Sequence, residues 1–526
     1  MKKFNQFLFL FLTIAFSLNL SAQDIRYIDK IFDDVTVQAD VLYATNITVI
    51  TGAPESAPLV CDVYQPADDV ETNRPVVIVL HTGSFLPQYF NGQVTGGKQD
   101  SAVVHICKEL ALRGYVAVAA DYRQGWNPVA ENQNVRTGTL LNAAYRGIQD
   151  TRACIRFLRK NIAEDGNTWG IDGDKIGVWG LGTGGYLSMG AGYLDRYEEI
   201  QLEKFLDSET LQYFVDSNLV ADPYGLTQKP LNLVNSPGYS SDFKIAVNMG
   251  GALGDISWIE GLENEPALVG SHVVSDPFAP FGDGAVIVPT TQEFVVNVSG
   301  TRTAVAKANE VGSNDVLDPV NALTNELNAR VEAYKQIEAT FPGPVTYTLA
   351  VDNMYPYVLP GFQAGPWDWW DKPTLDGVIA FYNTNLGTMF DSDQLHSDGL
   401  LTNPDMSAEK GKAYIDTTMR YFLPRACNAL GLESCMTVNV KDVADQSLVN
   451  MQVSPNPATN FMNVSSNDET PILDIQLFDV TGTMISHYNE INQSSYNIER
   501  KGLPAGIYFI KAHFDDGYLT KKVLLK

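Results

Sequence analysis

The period of the hydrophobic pattern changes repeatedly along this chain. Residues 76–80 form an unbroken, mostly β-branched apolar run, as expected of a strand buried on both faces. Residues 115–120 read as a second apolar strand and 175–179 as a third, and 243–249 resume the sheet after a break. Between these runs, residues 106–113 and 148–160 carry apolar side chains at helical spacing, and the first of these stops at Gly114. Strands alternating with helices predict βαβ units, hence an α/β fold with a mainly parallel sheet flanked by helices. Residues 195–240 are polar, aromatic and irregular, and read as an inserted cap. Residues 314–340 look helical and read as a second insertion, and 413–422 as a closing helix.

Past residue 435 the pattern shortens. Residues 436–449 are polar and read as a linker. From 451 onward, short β-rich segments at 472–480, 506–514 and 520–525 are separated by turn residues such as Thr481-Gly482 and Asp516-Gly517. A small C-terminal β-sandwich is predicted over 450–526, after an α/β domain over 24–435. At the other end, Met1-Lys2-Lys3 precedes a mostly apolar stretch over 7–20. This reads as a signal peptide, residues 1–22, cut near Ala22 before Gln23. The stretch is short for a span, and no later run is long enough, so no transmembrane segment is expected after cleavage.

Composition narrows the function classes. The 526 residues are 45% hydrophobic and 19% charged, which marks a globular chain. A net charge of −26 would repel phosphates and argues against nucleic acid as a partner. The five cysteines form no C-x-x-C and no zinc-ligand spacing with histidine, so neither a metal site nor a cofactor is expected. Cys427 and Cys435 are close enough in sequence to pair in an exported protein.

The most informative segment is Gly180-Leu181-Gly182-Thr183-Gly184, a glycine-pinched turn between a buried strand and a helix start. This is the setting of the G-x-S-x-G nucleophile elbow, with Gly182 in the serine position. An elbow residue sits in strained backbone geometry so that its hydroxyl stands above the sheet. Glycine takes that geometry without a Cβ penalty but brings no oxygen. The other reading is an ordinary Gly-rich turn that never held a nucleophile.

Residues 59–423 resemble secreted carboxylesterases of the α/β-hydrolase superfamily, including lipase-like and acyl-sugar esterases. The resemblance rests on residues 59–66, on Asp121-Tyr122-Arg123, on residues 150–158 and on His81-Thr82-Gly83-Ser84-Phe85. The last stands where the family has a His-Gly-Gly-Gly loop, with Thr82 and Ser84 at glycine positions. The resemblance implies an oxyanion hole from backbone N–H groups near Gly83 or Ser84 and at Thr183. It points to Asp276 as the triad acid; the bland reading is a turn-capping aspartate. For the histidine two positions remain open. Residues 352–357, after an expected strand over 345–351, resemble a Gly-His-x-Pro loop with Met354 as the lost histidine. Alternatively His396 completes the order Gly182…Asp276…His396. Trp367, Trp369 and Trp370 share one Gly/Pro-flanked loop and read either as a stacking surface for a sugar or apolar ligand or as a lid anchored in the core.

The tail resembles the C-terminal sorting domain of the type IX secretion system of Bacteroidetes-like bacteria. It carries Val453-Ser454-Pro455-Asn456-Pro457, Phe478-Asp479-Val480-Thr481-Gly482 and Gly502-Leu503-Pro504-Ala505-Gly506-Ile507-Tyr508. That resemblance implies the secretion machinery as a partner and a secreted or outer-membrane-surface location. The expectation is a cell-surface carboxylesterase-like protein, impaired by Gly182, that binds an ester-like or glycan ligand in the former active-site cleft. The alternatives are an active carboxylic-ester or acyl-glycan hydrolase with an unconventional site, and an adhesive or structural surface protein.

Overall fold

The computed structural model describes residues 25–288, 293–340, 346–435, 449–467, 470–479, 484–489, 491–514 and 517–526. The expected signal peptide, the expected 436–449 linker apart from Val449, the Thr481-Gly482 turn and Asp516 of the Asp516-Gly517 turn lie outside the described residues. The described residues fall into two compact units, one from 25–315 with 329–435 and the other from 316–328 with 449–526.

The first unit is built on an eight-stranded sheet. Its strands are β1 (Val35–Thr48), β2 (Glu55–Pro66), β3 (Arg74–Leu80), β4 (Val116–Ala120), β5 (Ile171–Leu181), β6 (Ile245–Met249), β7 (Ala267–Val273) and β8 (Met354–Tyr357). The spatial order is β1-β2-β4-β3-β5-β6-β7-β8. The β1–β2 and β2–β4 pairs are antiparallel and every later pair is parallel. Every residue of β3, β4, β6 and β7 is buried, which is why their sequences run apolar without alternation. Helices α1 (Ser101–Ala111), α2 (Gln133–Glu164) and α3 (Thr183–Tyr193) join strands and cover the sheet. This is the α/β-hydrolase arrangement expected.

The strand expected over 345–351 is found elsewhere. Thr346–Thr348 pairs with Glu338–Thr340 in a separate hairpin, and the last strand of the sheet is β8. All four residues of β8 are buried. Its Pro356 is tolerated because β8 is an edge strand, where a missing N–H leaves no ladder bond unmade. Residues 195–240 form short turns and the one-turn helix Ser217–Val220, with Ile200, Phe205, Val215 and Val220 buried. The helices α4 (Lys372–Asn385), α5 (Ser392–Thr402) and α6 (Ala408–Ala429) close the unit, and Cys427 is bonded to Cys435.

In the second unit, β9 (Gln452–Ser454), β10 (Phe461–Ser465) and β13 (Ser495–Glu499) form one antiparallel sheet. The strands β11 (Asp474–Phe478), β12 (Met484–Tyr488), β14 (Gly506–Phe514) and β15 (Gly517–Leu525) form the other. Met462, Val464, Ile475, Leu477, Ile498 and Ile510 are fully buried in a common core. The result is a small β-sandwich.

Candidate active-site cleft

The elbow is built by the end of β5 and the start of α3. Gly182 lies between them at φ +50°, ψ −115°, backbone that a side-chain-bearing residue adopts only under strain. The flanking glycines are fixed by close approach. A Cβ on Gly180 would lie 1.9 Å from the Gly184 carbonyl oxygen, and one on Gly184 would lie 2.3 Å from that of Leu80. The Gly182 N–H donates to the Met249 carbonyl at 2.9 Å, tying the turn to β6. The turn has the tight strand-to-helix backbone expected of a nucleophile elbow.

The space above it is occupied. A Cβ at Gly182 would lie 2.2 Å from Thr82 Oγ1 and 2.9 Å from Thr82 Cβ. Both are far inside van der Waals contact, so the Thr82 side chain stands where a serine side chain would begin. Neighbouring hydroxyls are committed elsewhere. Ser188 is buried and donates to the Gly185 and Val247 carbonyls, and Thr183 Oγ1 lies 3.0 Å from the Tyr122 hydroxyl.

The loop after β3 is rigidly held. His81 Nδ1 donates to the Thr82 carbonyl at 2.5 Å. Its ring stacks on Tyr122 at 4.4 Å, and the Tyr122 hydroxyl donates to the His81 carbonyl. Burial pushes the His81 pKa down despite Asp121 nearby, so the ring is neutral and structural. Gly83 has φ +126°, and a Cβ there would lie 2.7 Å from Gly96 Cα. Ser84 also has positive φ, and its carbonyl accepts from Trp126 Nε1 at 2.7 Å.

Asp276 follows β7, with its side chain 5% exposed. Its Oδ1 accepts the N–H groups of Phe278 at 2.7 Å and Ala279 at 3.2 Å, and its Oδ2 lies 3.6 Å from His272 Nε2. It thus caps its own turn while also facing the cleft. His272 lies within β7, fully buried between Thr301 Oγ1 and the Ala279 carbonyl.

Neither expected histidine position faces this acid. Met354 is the first residue of β8, fully buried and paired with Gly270. It packs the core instead of standing on a loop after the last strand, because that strand begins at Met354 itself. His396 sits in α5, where its Nδ1 accepts from Trp370 Nε1 at 3.0 Å, and it is absent from the cleft wall. The loop that follows β8 carries the tryptophans. A Cβ on Gly250 would lie 3.2 Å from the Trp367 ring and 3.9 Å from Asp276 Oδ2, so both side chains approach the same point beside Gly250. Trp367 is 3% exposed. Trp370 also faces the cleft. Trp369 does not, and packs instead against Gly411 and the edge of His105. The loop is a wall, not an exposed stacking platform.

These residues enclose a cavity of about 900 Å³ that includes Thr82, Gly182, Asp276, Trp367, Asp368 and Trp370 in its lining. The cap supplies Ile200, Phe205 and Val215 to its walls. Among the described residues no histidine, lysine or arginine lines it. Asp368 has its pKa pushed up to about 7 by desolvation. Without an alcohol paired to a base, acyl transfer to the protein has no ordinary starting point. Asp368 was not singled out from sequence, Trp367 was read there only as a stacking or lid residue, and Thr82 only as a substituted glycine of the loop after β3. The substitution at a glycine position of that loop was the available signal for Thr82, since it faces Gly182, the residue at the expected serine position.

Residues 61–248 match the BD-FAE family, and residues 452–526 match the secretion system C-terminal sorting domain, which addresses a protein to the cell surface or outside. Among solved structures, esterase 2 of Thermogutta terrifontis phosphorylated by paraoxon is 19% identical over 47% of this chain and 73% of its own, with a TM-score of 0.27. A truncated carbohydrate esterase from gut microbiota is 17% identical over 48% of this chain and 81% of its own, with a TM-score of 0.28. A bifunctional GH43-CE protein of Bacteroides eggerthii is 18% identical over 46% of this chain and 29% of its own, with a TM-score of 0.29. No curated protein matches. Among the described residues, no helix is long and apolar enough to cross a membrane.

Proposed function

We propose that the cleft of this esterase-like α/β-hydrolase domain, exported by its type IX sorting domain, binds an ester-like or glycan ligand without hydrolysing it. The observation that carries this reading is the pairing of Gly182 with Thr82: residue 182 brings no oxygen, and Thr82 Oγ1 stands 2.2 Å from where its Cβ would be. The cleft wall around Asp276 adds to it, since Trp367 and Asp276 both approach Gly250 and no histidine among the described residues lines the cavity. The backbone N–H groups of Gly83, Ser84 and Thr183 remain the candidate donors to a ligand carbonyl, a role that requires backbone geometry alone.

Restoration tests it. Gly182→Ser alone is expected to stay silent on p-nitrophenyl acetate, because Thr82 blocks the side chain. Thr82→Gly with Gly182→Ser makes room, and adding Trp367→His supplies a base beside Asp276. Hydrolysis that emerges only in the triple variant supports a lost triad at these positions. Turnover by the natural protein would contradict the proposal.

A second reading, an active hydrolase with an unconventional site, is favoured by one observation. Thr82 Oγ1 is itself a hydroxyl in the vacated place, and Asp368, with a pKa near 7, is a base of suitable strength in the same cavity. Under that reading Thr82→Val abolishes a measurable natural activity.

A further inference from the structure

The cavity wall has an unusual charge pattern. Its ionisable acids are Asp276, Asp368 and Asp398, and no cationic side chain among the described residues faces them there. The three acids differ in how they are satisfied. Asp276 takes two backbone N–H groups on Oδ1. Asp398 is at an exposed position and accepts from Gln394 Nε2 at 2.7 Å. The Asp368 carboxyl has no donor among the described residues, although its backbone is held on both sides. Its N–H donates to the Gly365 carbonyl at 2.9 Å, and its carbonyl accepts from Asn403 Nδ2 at 2.9 Å. The Asp368 side chain is only part-buried in the cavity wall, which leaves its carboxyl free to meet a ligand that brings a charge or a donor.

The rest of the wall indicates what would. Phe85, Trp126, Tyr186, Trp258, Trp367 and Trp370 all line the cavity. Aromatic faces attract a cation through the ring quadrupole, and the attraction grows when water is excluded. An anionic ligand would meet three carboxyls and no compensating charge. We propose that the ligand of this cleft carries an organic ammonium group, which Asp368 neutralises while the aromatic walls enclose its alkyl surface. This rests on the cleft being a binding site, and specifies the ligand class it takes.

Three matched phenols separate the possibilities: (4-hydroxyphenyl)trimethylammonium, neutral 4-tert-butylphenol and anionic 4-hydroxybenzenesulfonate. Each is titrated into the full-length protein by tryptophan fluorescence and calorimetry. The expected result is that the ammonium binds about tenfold or more tightly than 4-tert-butylphenol, with the sulfonate weakest. Asp368→Asn is expected to bring the first two close to parity while leaving 4-tert-butylphenol unchanged. Trp370→Leu should weaken the ammonium more than the neutral phenol, and gives a second readout if the Asp368 variant folds poorly. Equal or tighter binding of 4-tert-butylphenol overturns the ammonium assignment and leaves cleft binding standing. Tightest binding of the sulfonate overturns the assignment too. No binding by any of the three counts against the cleft as a binding site altogether.

Discussion

A serine side chain at position 182 and a threonine at 82 cannot share the space above the elbow, since the first carbon of one would lie 2.2 Å from the oxygen of the other. The two residues therefore behave as a unit. Gly182→Ser is expected to destabilise the fold by roughly 1–3 kcal/mol through overpacking, on top of backbone strain at φ +50°. Adding Thr82→Gly should return part of that loss, a non-additivity that a double-mutant cycle of thermal unfolding would expose. If the single variant is as stable as the natural protein, Thr82 does not fill the elbow. Asp368 makes a second prediction. Its folded pKa is pushed up to about 7 from an unfolded value near 4, so between those values the folded state holds a proton that the unfolded state has lost. Stability from this group therefore falls as pH rises from about 4 through 7. Asp368→Asn should raise the melting temperature at pH 8 by about 1–3 °C and leave it nearly unchanged at pH 4.

At the scale of elements, α2 is pinned to the sheet through an ion pair rather than by apolar contact alone. Arg123, just after β4, meets Asp150 of α2 at 2.8 Å, and both side chains are fully buried. Asp150 also accepts the Arg123 backbone N–H at 2.8 Å. Asp150→Ala leaves an uncompensated buried guanidinium and is expected to cost about 3–5 kcal/mol, measurable as a lower denaturation midpoint. These two residues belong to the segments that carried the esterase resemblance, and their task is architectural. The βαβ core was legible because β3, β4 and the end of β5 are apolar runs buried along their length. The edge strand β8 was not, because Met-Tyr-Pro-Tyr has neither β-branching nor alternation, and its burial comes from neighbours distant in sequence. That displaced the expected histidine position onto Met354. The elbow was legible from Gly180, Gly182 and Gly184, where glycine is demanded by contacts of 2.3 Å or less. Thr82 as its plug was not, because 100 residues of chain separate the two before β3 and β5 pair in register at Leu80 and Gly180.

At the scale of the whole molecule, chemistry and address occupy different parts of the chain. Asp276, the elbow and the cavity lie in the first unit, and the sorting strands lie in the second, which has an apolar core of its own. Removing residues 452–526 from the gene in the native host is expected to leave the protein inside the outer membrane, with its cleft properties unchanged, as read by cell fractionation. Surface delivery of that truncated protein would contradict the assigned role of the tail.

The central claim is that the cleft has given up hydrolysis, and the most direct measurement is turnover of p-nitrophenyl acetate by the natural full-length protein beside its Thr82→Val variant. The account predicts identical rates for the two, at the level of non-specific protein-catalysed background. A natural rate well above background that disappears in Thr82→Val would contradict it, and would identify the hydroxyl that stands in place of the missing serine as a working nucleophile.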